Sequence, residues 1–469
     1  MKKSFLFSLQ ILLFTISSCK PIAQNHENYL GKWVSLGGNW LLEIDSNGDY
    51  AKYDFTSMSC QVARKSNVKE FGDRIFLSQD TLKIKRGVIE YKYIRTTKDY
   101  PLCYQILTED QKRDPVFNFE VFSSTILENY AFMNLNKVNW NVLYNECKEV
   151  VTNNPTDESL YYSIQRIFDV INDNHGYIEP PEEVIKSFQG IEDSTAEIGD
   201  FKVANEVSKN HMIEEYTYDS NIVRWGKMTD SIGYIQVKAM FLLSNLGITQ
   251  KEIDDLGFET AYNQKYYALN EGEYIELERE SMNRVMERVY QDLSSFESII
   301  VDIRFNGGGQ DAVSLELLSW FNNFPKLMAV QSLFYNNVES PEWNIIINSN
   351  KEYFNGSTYV LTSQQTGSAA EVFAMGTMIL PNVKRIGMPT MGALSTALEK
   401  ELPNGWKFAI SNEYYRNSKG DYFENRGIPV DYTINYPANR QEFFNSVLRD
   451  LELDKNQILK AINELNNSF

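Results

Sequence analysis

The chain has 469 residues, of which 43% are hydrophobic and 13% aromatic, and its formal net charge at pH 7 is −18. This length suggests two to three domains, and the apolar content supports a sizeable core, which argues against global disorder. A general nucleic-acid binder needs a basic face, so the acidic charge argues against that class of function.

The first eighteen residues have the features of a secretory signal. Lys2 and Lys3 precede an apolar run that is too short to cross a membrane. The run ends in ISSC at residues 16–19, which resembles a bacterial lipobox, where the cysteine is lipidated and becomes the first mature residue. We therefore expect residues 1–18 to be removed, Cys19 to anchor the protein to a membrane of the cell envelope, and residues 19–28 to be a tether. The alternative is a cysteine that follows an ordinary signal peptide by chance.

Three further cysteines remain in the exported chain, which allows one disulfide and one free thiol. Cys60 and Cys103 both lie in the N-terminal segment, so we expect these two to pair. Cys147 lies in a helical pattern and is expected to be a buried apolar side chain.

Residues 29–115 consist of short runs that alternate between apolar and polar residues, separated by turn signals such as SNGD at residues 46–49. This pattern predicts a small antiparallel β domain, either a barrel or a sandwich.

Residues 116–180 show helical periodicity instead. The first helix is predicted to include Tyr130 and Met133, and another is predicted at residues 159–171. This last helix stops at the sequence DNH of residues 173–175. A histidine at a helix end is commonly a partner of the helix dipole, and the alternative is a functional role.

Residues 181–469 read as an α/β core. Long helices are predicted at residues 274–293, 312–321 and 440–465, and residues 243–267 are predicted to be an irregular, acidic insertion. His211 lies in a polar stretch that gives it no assigned role. The strand candidates are residues 232–237, 299–303, 359–361, 383–386, 406–410 and 432–434.

Ser368 follows a short apolar strand and Gly367, and it precedes a helical stretch. Taken locally, this serine is more simply an N-cap, because its side chain can satisfy free backbone N–H groups. The alternative is a nucleophile, since a strand-to-helix turn exposes the hydroxyl and the helix N-terminus favours negative charge.

A second turn carries three consecutive glycines, in the sequence DIRFNGGG of residues 302–309. Gln310 follows them, where a phosphate-binding loop would continue with Gly-Lys-Ser/Thr, which argues against that function. Backbone N–H groups of such a turn can instead form an oxyanion hole; the alternative is a flexible turn.

Four motifs together resemble those of the C-terminal-processing (tail-specific) and tricorn-like serine peptidases. They are DIRFNGGG at residues 302–309, TGSAAE at 366–371, IGMPTMG at 386–392 and FENRGIPVD at 423–431. The resemblance implies an α/β core of the crotonase/ClpP-like type, with Ser368 as the nucleophile.

The resemblance also bears on the general base. Where the C-terminal-processing branch has a lysine after Thr-x-Gly, this chain has Ala393. The tricorn-like branch uses a histidine from an Asp-x-His segment and a C-terminal glutamate, which His175 and Glu424 match. The family therefore implies a Ser-His-Glu triad.

Other roles follow from the same comparison. Gly308 or Gly309, with the N–H of Ala369, is expected to form the oxyanion hole. The expected supporting residues are Asp302, Arg304, Asn306, Asp173 and Glu371.

The sequence thus predicts a serine endopeptidase of the cell envelope, acting on a peptide or protein substrate without a metal or cofactor. Residues 178–231 are too few for the PDZ domain of many relatives, so we expect none. The alternatives are an inactive protein on the same scaffold that binds peptides or apolar ligands, and a lipid-ester hydrolase. The oligomeric state is not readable from the sequence.

Overall fold

The structure is a computed structural model that describes residues 26–189, 199–218, 220–269 and 272–467. The predicted signal segment and Cys19 lie outside these residues. Within the described ranges, no helix is both long and apolar enough to cross a membrane.

The N-terminal part is an antiparallel sheet with the strand order β4-β3-β2-β1-β7-β6-β5. Its alternating burial agrees with the predicted β domain. Cys60 and Cys103 form a disulfide that joins β4 to a 3-10 helix, and Cys147 is a buried free thiol. The strands are β1 (Gly31–Ser35), β2 (Trp40–Ile44), β3 (Asp49–Phe55), β4 (Cys60–Asn67), β5 (Ile75–Ser78), β6 (Thr81–Arg86) and β7 (Ile89–Arg95). Three 3-10 helices span His26–Tyr29, Val68–Arg74 and Pro101–Tyr104.

Four helices follow: α1 (Glu109–Arg113), α2 (Pro115–Asn129), α3 (Trp140–Asn153) and α4 (Asp157–Ile171). The prediction that the first long helix includes Tyr130 and Met133 is wrong. Tyr130 has extended backbone angles, and its buried hydroxyl donates to the carbonyl of Ile171, so the chain leaves the helix there. The helices share one apolar core with the β domain.

The central sheet has the order β21-β17-β16-β12-β11-β10-β9, and its middle strands are parallel. One face packs on α9, α10 and α11 and the other on α13. Its strands are β9 (Glu214–Glu215), β10 (Val223–Lys227), β11 (Ile232–Val237), β12 (Ser298–Asp302), β16 (Ser357–Thr362), β17 (Val383–Gly387) and β21 (Tyr432–Thr433). The helices of this part are α5 (Glu182–Gln189), α6 (Asp200–His211), α7 (Gln250–Leu256), α8 (Phe258–Ala268), α9 (Glu273–Leu293), α10 (Asp311–Ser319), α11 (Ala369–Thr377), α12 (Arg440–Arg449) and α13 (Leu451–Asn466).

Two smaller sheets complete the fold. One pairs β13 with β14, β15 and β20, and the other has the order β18-β19-β8. Strand β19 was predicted among the strands of the α/β core, and it pairs with β8 directly after the histidine motif. The strands are β8 (Tyr177–Glu179), β13 (Lys326–Tyr335), β14 (Val338–Glu339), β15 (Trp343–Ile347), β18 (Ala397–Glu401), β19 (Lys407–Ser411) and β20 (Glu413–Asn417).

Two further predictions are wrong. The segment 243–267 is not irregular, because Thr249 and Glu252 form a capping box that starts α7, and α8 follows. The predicted closing helix is interrupted at Asp450, whose extended backbone ends α12 and whose carboxylate accepts from Leu453 N at the start of α13.

Candidate active site

Parallel pairing places two turns side by side at the carboxyl end of the central sheet. Asp302, the last residue of β12, pairs with Leu361 near the end of β16. Side chains in the loop after β16 then donate to carbonyls after β12: Thr366 Oγ1 to Ile303 at 2.9 Å and Ser363 Oγ to Arg304 at 2.6 Å. These bonds hold the predicted nucleophile turn against the glycine turn.

Ser368 lies at the end of this loop, immediately before α11. Its backbone angles, φ 51° and ψ −126°, are rarely adopted by residues other than glycine. Strained backbone of this kind costs about 1–3 kcal/mol and persists only where surrounding structure enforces it, often at functional sites. The serine is half-buried between the buried residues Gly367 and Ala369.

The glycine turn touches the serine directly. A Cβ added at Gly308 would lie only 2.6 Å from the Ser368 Cβ. Asn306 shapes the turn, because its Oδ1 accepts from Gly308 N at 2.9 Å and its Nδ2 donates to the carbonyl of Val237 at 3.1 Å.

This geometry corrects the expectation that Gly308 could donate to an oxyanion. Its N–H is already bound to Asn306, so Gly308 contributes close approach instead. Among the residues that the structure describes, the N–H groups of Gly309 and Ala369 have no acceptor in the protein. Both N–H groups are therefore available to a developing oxyanion.

His175 lies in the loop that joins α4 to β8. Asn172 ends α4 in the left-handed conformation, and Asp173 accepts from the His175 backbone N–H at 3.0 Å. Asp173 also accepts from the N–H of Ser411 at 2.7 Å, which fixes the loop on β19. Asp173 thus positions the histidine by two attachments.

The His175 imidazole shares a cavity of about 420 Å³ with Ser368 and Gly309. Its Nδ1 is buried and has no hydrogen-bond partner in the described structure. Burial lowers the pKa of His175, although the charge of Asp173 opposes this shift. A neutral imidazole is therefore the favoured form, as a general base requires.

Glu424 is buried, and only one of its carboxylate oxygens is satisfied. Oε2 accepts from Leu394 N and Ser395 N, both at 3.0 Å, whereas the buried Oε1 lacks a partner among the described atoms. Burial raises the pKa of Glu424 to about 8, and the nearby charges of Glu371 and Asp173 add to the shift.

Neighbouring residues bring His175 and Glu424 to the same place. Asn174 Nδ2 donates to Asn425 Oδ1 at 3.2 Å, so the residue before the histidine is bonded to the residue after the glutamate. Tyr130 lies close to Asp173 and Glu424. Burial raises the pKa of Tyr130, and the charges of these two carboxylates raise it further. Among the residues that the structure describes, no hydrogen bond joins His175 to Glu424 or to Ser368.

Glu371 links the nucleophile to the following loop. Its carboxylate accepts from Thr390 Oγ1, Gly392 N and Ala393 N at 2.5–2.7 Å, and from Ser368 N at 3.3 Å. Burial raises its pKa to about 7. Ala393, at the position of the lysine in the other branch, is buried with its N–H directed at this carboxylate.

Asp302 and Arg304 are fully buried and are not among the residues that line the cavity. The guanidinium binds both oxygens of Asp302, at 2.7 and 3.0 Å, and it reaches Asp454 on α13 at 2.9 Å. His211, which was expected in a polar stretch, is also buried here, with Nε2 2.9 Å from Asp454. This cluster holds the turn in place.

Sequence reasoning missed part of the cavity wall. The β domain contributes Trp40 and Lys52, and the core contributes Asp311, Asn412 and Glu413. Asp311 could have been found from its position two residues after Gly309, whereas the others come from distant strands. Across the described residues, no three His, Cys, Asp or Glu side chains are grouped to hold a metal ion.

Part of the chain is similar to known proteins. Residues 231–434 match the family model "Peptidase family S41". A crystal structure of a candidate peptidase from Parabacteroides merdae ATCC 43184 is 17% identical, with a TM-score of 0.52, covering 72% of this chain and 97% of that one. Mature CPAF complexed with lactacystin is 9% identical, with a TM-score of 0.49 and coverages of 75% and 99%. The tricorn protease is 14% identical, with a TM-score of 0.39 and coverages of 89% and 45%. Residues 231–434 are thus similar to peptidase family S41, and the chain is a serine-type peptidase.

Proposed function

We propose that the chain is a serine endopeptidase that uses Ser368, His175 and Glu424 as a tricorn-like triad. The Asn174–Asn425 hydrogen bond carries the assignment, because it brings the loops of the histidine and the glutamate together beside the nucleophile's cavity. The unpartnered atoms also match: a proton on His175 Nδ1 could be donated to Glu424 Oε1.

A serine–lysine dyad is less well supported. Ala393 has no side chain that could act as a base. Lys400, the next lysine along the chain, donates to Asp54 and to the carbonyl of Gly38, so it serves to join β18 to the β domain.

The reaction follows from these positions. Nε2 of His175 takes the proton of Ser368 Oγ as the oxygen attacks the peptide carbonyl carbon. The carbonyl oxygen becomes an oxyanion and accepts from the N–H groups of Gly309 and Ala369; losing one such donor typically costs about 10²–10³-fold in rate. The imidazolium then protonates the leaving amine, and a water molecule, deprotonated by His175, hydrolyses the acyl-enzyme.

The fold and location are part of the proposal. We infer a crotonase/ClpP-like core from the parallel central sheet with helices on both faces. We also infer export, with a signal at residues 1–18 and a lipid anchor on Cys19. The Cys60–Cys103 disulfide supports an oxidising compartment, because such bonds persist mainly outside the cytosol.

A fluorophosphonate probe tests the nucleophile. We expect the purified wild-type protein to be labelled, Ser368→Ala not to be labelled, and His175→Ala to be labelled much more slowly. Ala393→Lys should not restore labelling to His175→Ala. Equal labelling of wild type and Ser368→Ala would refute the assignment.

Turnover assays separate the alternatives. Cleavage of peptides rather than lipid esters is expected if the protein is an endopeptidase. Preferential hydrolysis of esters would favour a lipid-ester hydrolase. An absence of turnover, together with ligand binding that Ser368→Ala leaves unchanged, would favour an inactive binding protein.

A further inference from the structure

Four acidic residues line the cavity beside Ser368, and the proposed triad uses none of them: Asp54, Asp311, Glu399 and Glu413. Asp311 and Glu413 are the two considered as a pair. Asp311 is the first residue of α10, two residues after Gly309, and its side chain lines the cavity. Glu413 begins β20, is only 2% exposed and lines the same cavity.

Both carboxyls are attached to the proposed catalytic groups. Asp311 is joined to Gly309 through one intervening residue. Glu413 N donates to Ser395 Oγ at 3.0 Å, and Ser395 N donates to Glu424 at 3.0 Å. A substrate group between Asp311 and Glu413 would therefore lie next to the bond that Ser368 attacks.

Neither carboxyl has a countercharge. In the described part of the chain, no lysine, arginine or histidine forms an ion pair with Asp311 or Glu413. Burial raises the pKa of Asp311 to about 7 and that of Glu413 to about 8, and the charge of Asp311 adds to the shift at Glu413. Gln331 donates a hydrogen bond to Glu413, Thr396 also bonds to Glu413, and Tyr415 lies against Asp311, but none of these groups supplies a charge.

The cations of the cavity wall are engaged elsewhere. Lys52 lies over the Trp40 ring at 4.3 Å, and Arg86 donates to the Tyr274 hydroxyl at 3.1 Å. A third acid of the wall, Asp54, is already paired with Lys400.

Asn412 gives an independent indication of a ligand. It is 2% exposed, it lines the cavity beside Glu413, and its buried Nδ2 has no acceptor among the described atoms. A buried amide donor without a partner is costly unless a ligand supplies the acceptor. A peptide carbonyl is such an acceptor.

We propose that Asp311 and Glu413 form a subsite for the lysine or arginine side chain of a peptide residue next to the scissile bond, while Asn412 donates to a main-chain carbonyl of that peptide. This inference rests on the proposed peptidase activity. A bound ammonium or guanidinium lets the carboxyls ionise and form charge-assisted hydrogen bonds. An uncharged side chain of the same length leaves them without a counter-ion, and an acidic one is repelled.

The test first maps the bonds that the purified full chain cleaves in an unfolded protein, by mass spectrometry. We expect lysine or arginine on one side of most cleaved bonds. In synthetic peptides based on these sites, replacing that lysine by norleucine should lower kcat/KM about 10- to 100-fold.

Variants locate the effect. Glu413→Gln and Asp311→Asn should each reduce the lysine-over-norleucine ratio at least several-fold while the fluorophosphonate still labels Ser368. Glu399→Gln, at an exposed position of the same cavity wall, should keep the ratio. If one variant fails to fold, the lysine-over-norleucine ratios of the other variant and of the wild type still test the subsite.

A wild-type protein that is labelled but cleaves lysine and norleucine peptides equally would overturn the subsite alone. Labelling without cleavage of any peptide would also overturn it. Absence of Ser368-dependent labelling would instead overturn the proposed function.

Discussion

Replacing Gly308 by alanine would push the glycine turn against the nucleophile. The added Cβ would lie 2.6 Å from the Ser368 Cβ and 2.9 Å from the carbonyl oxygen of Gly367. Because non-bonded carbon atoms normally stand about 3.5–4.0 Å apart, the turn and the serine must separate by about 1 Å. A displacement of that size near reacting groups can cost about 10²-fold in rate. The positive φ of 113° adds about 1–3 kcal/mol of backbone strain.

Gly307→Ala is the matched control on the same turn. A Cβ there has no atom within 4 Å, so its kcat/KM should stay within about threefold of wild type. The assay compares fluorophosphonate labelling rates and kcat/KM on one peptide, with thermal unfolding recorded for each variant. Wild-type labelling by Gly308→Ala, or equal losses in both folded variants, would refute the reasoning.

Three other changes test the site and its supports. Glu424→Gln removes the carboxyl that, once ionised, stabilises the protonated imidazole, so kcat should fall about 10²–10⁴-fold in steady-state assays; an unchanged kcat would contradict this. Burial raises the pKa of Glu413 to about 8 in the folded protein, whereas the pKa of an unfolded Glu is about 4.3. The folded protein holds this proton more tightly, so Glu413 stabilises the fold fully below about pH 4.3 and loses this stabilisation as the pH rises towards 9. Calorimetry should show that the stability of the wild type falls from pH 6 to 9 and that the stability of Glu413→Gln falls less steeply. Parallel curves for the two proteins would contradict this role of Glu413. Lys400→Met leaves Asp54 without its cation, and urea titrations should show a free energy of unfolding that is lower by about 2–4 kcal/mol. The loss is smaller than for a fully buried pair because Asp54 keeps some contact with water. A loss below about 0.5 kcal/mol would argue against the ion pair.

Local patterns predicted much of the fold. The apolar run of residues 232–237 corresponds to β11, which is buried on both faces, and the helical pattern of residues 274–293 corresponds to α9. The break at Asp450 was missed because its neighbours continue the helical periodicity, although an aspartate can end one helix and cap the next.

The candidate site was only partly accessible to the same reasoning. The motif around Ser368 and the glycine turn are each contiguous in the chain, so their residues could be named in advance. The role of Gly308 could not, because the acceptor of its N–H depends on the conformation of Asn306.

Long-range pairs were the least predictable. His211 and Asp454 are 243 residues apart, and nothing in the polar surroundings of either residue in the chain indicates their contact. The contribution of the β domain to the cavity wall was equally hidden, because it depends on how separate segments pack.

The ion pair between Arg304 and Asp454 has a consequence for the order of events during synthesis. The arginine leaves the ribosome 150 residues before its second carboxylate partner. Until the segment that carries Tyr436 and α13 docks, the guanidinium has only Asp302 as a partner, and burying it without its full set of partners is strongly unfavourable. The glycine turn can therefore reach its final shape only late in synthesis or after release. A nascent chain would stay inactive while its own unfolded segments are still within reach.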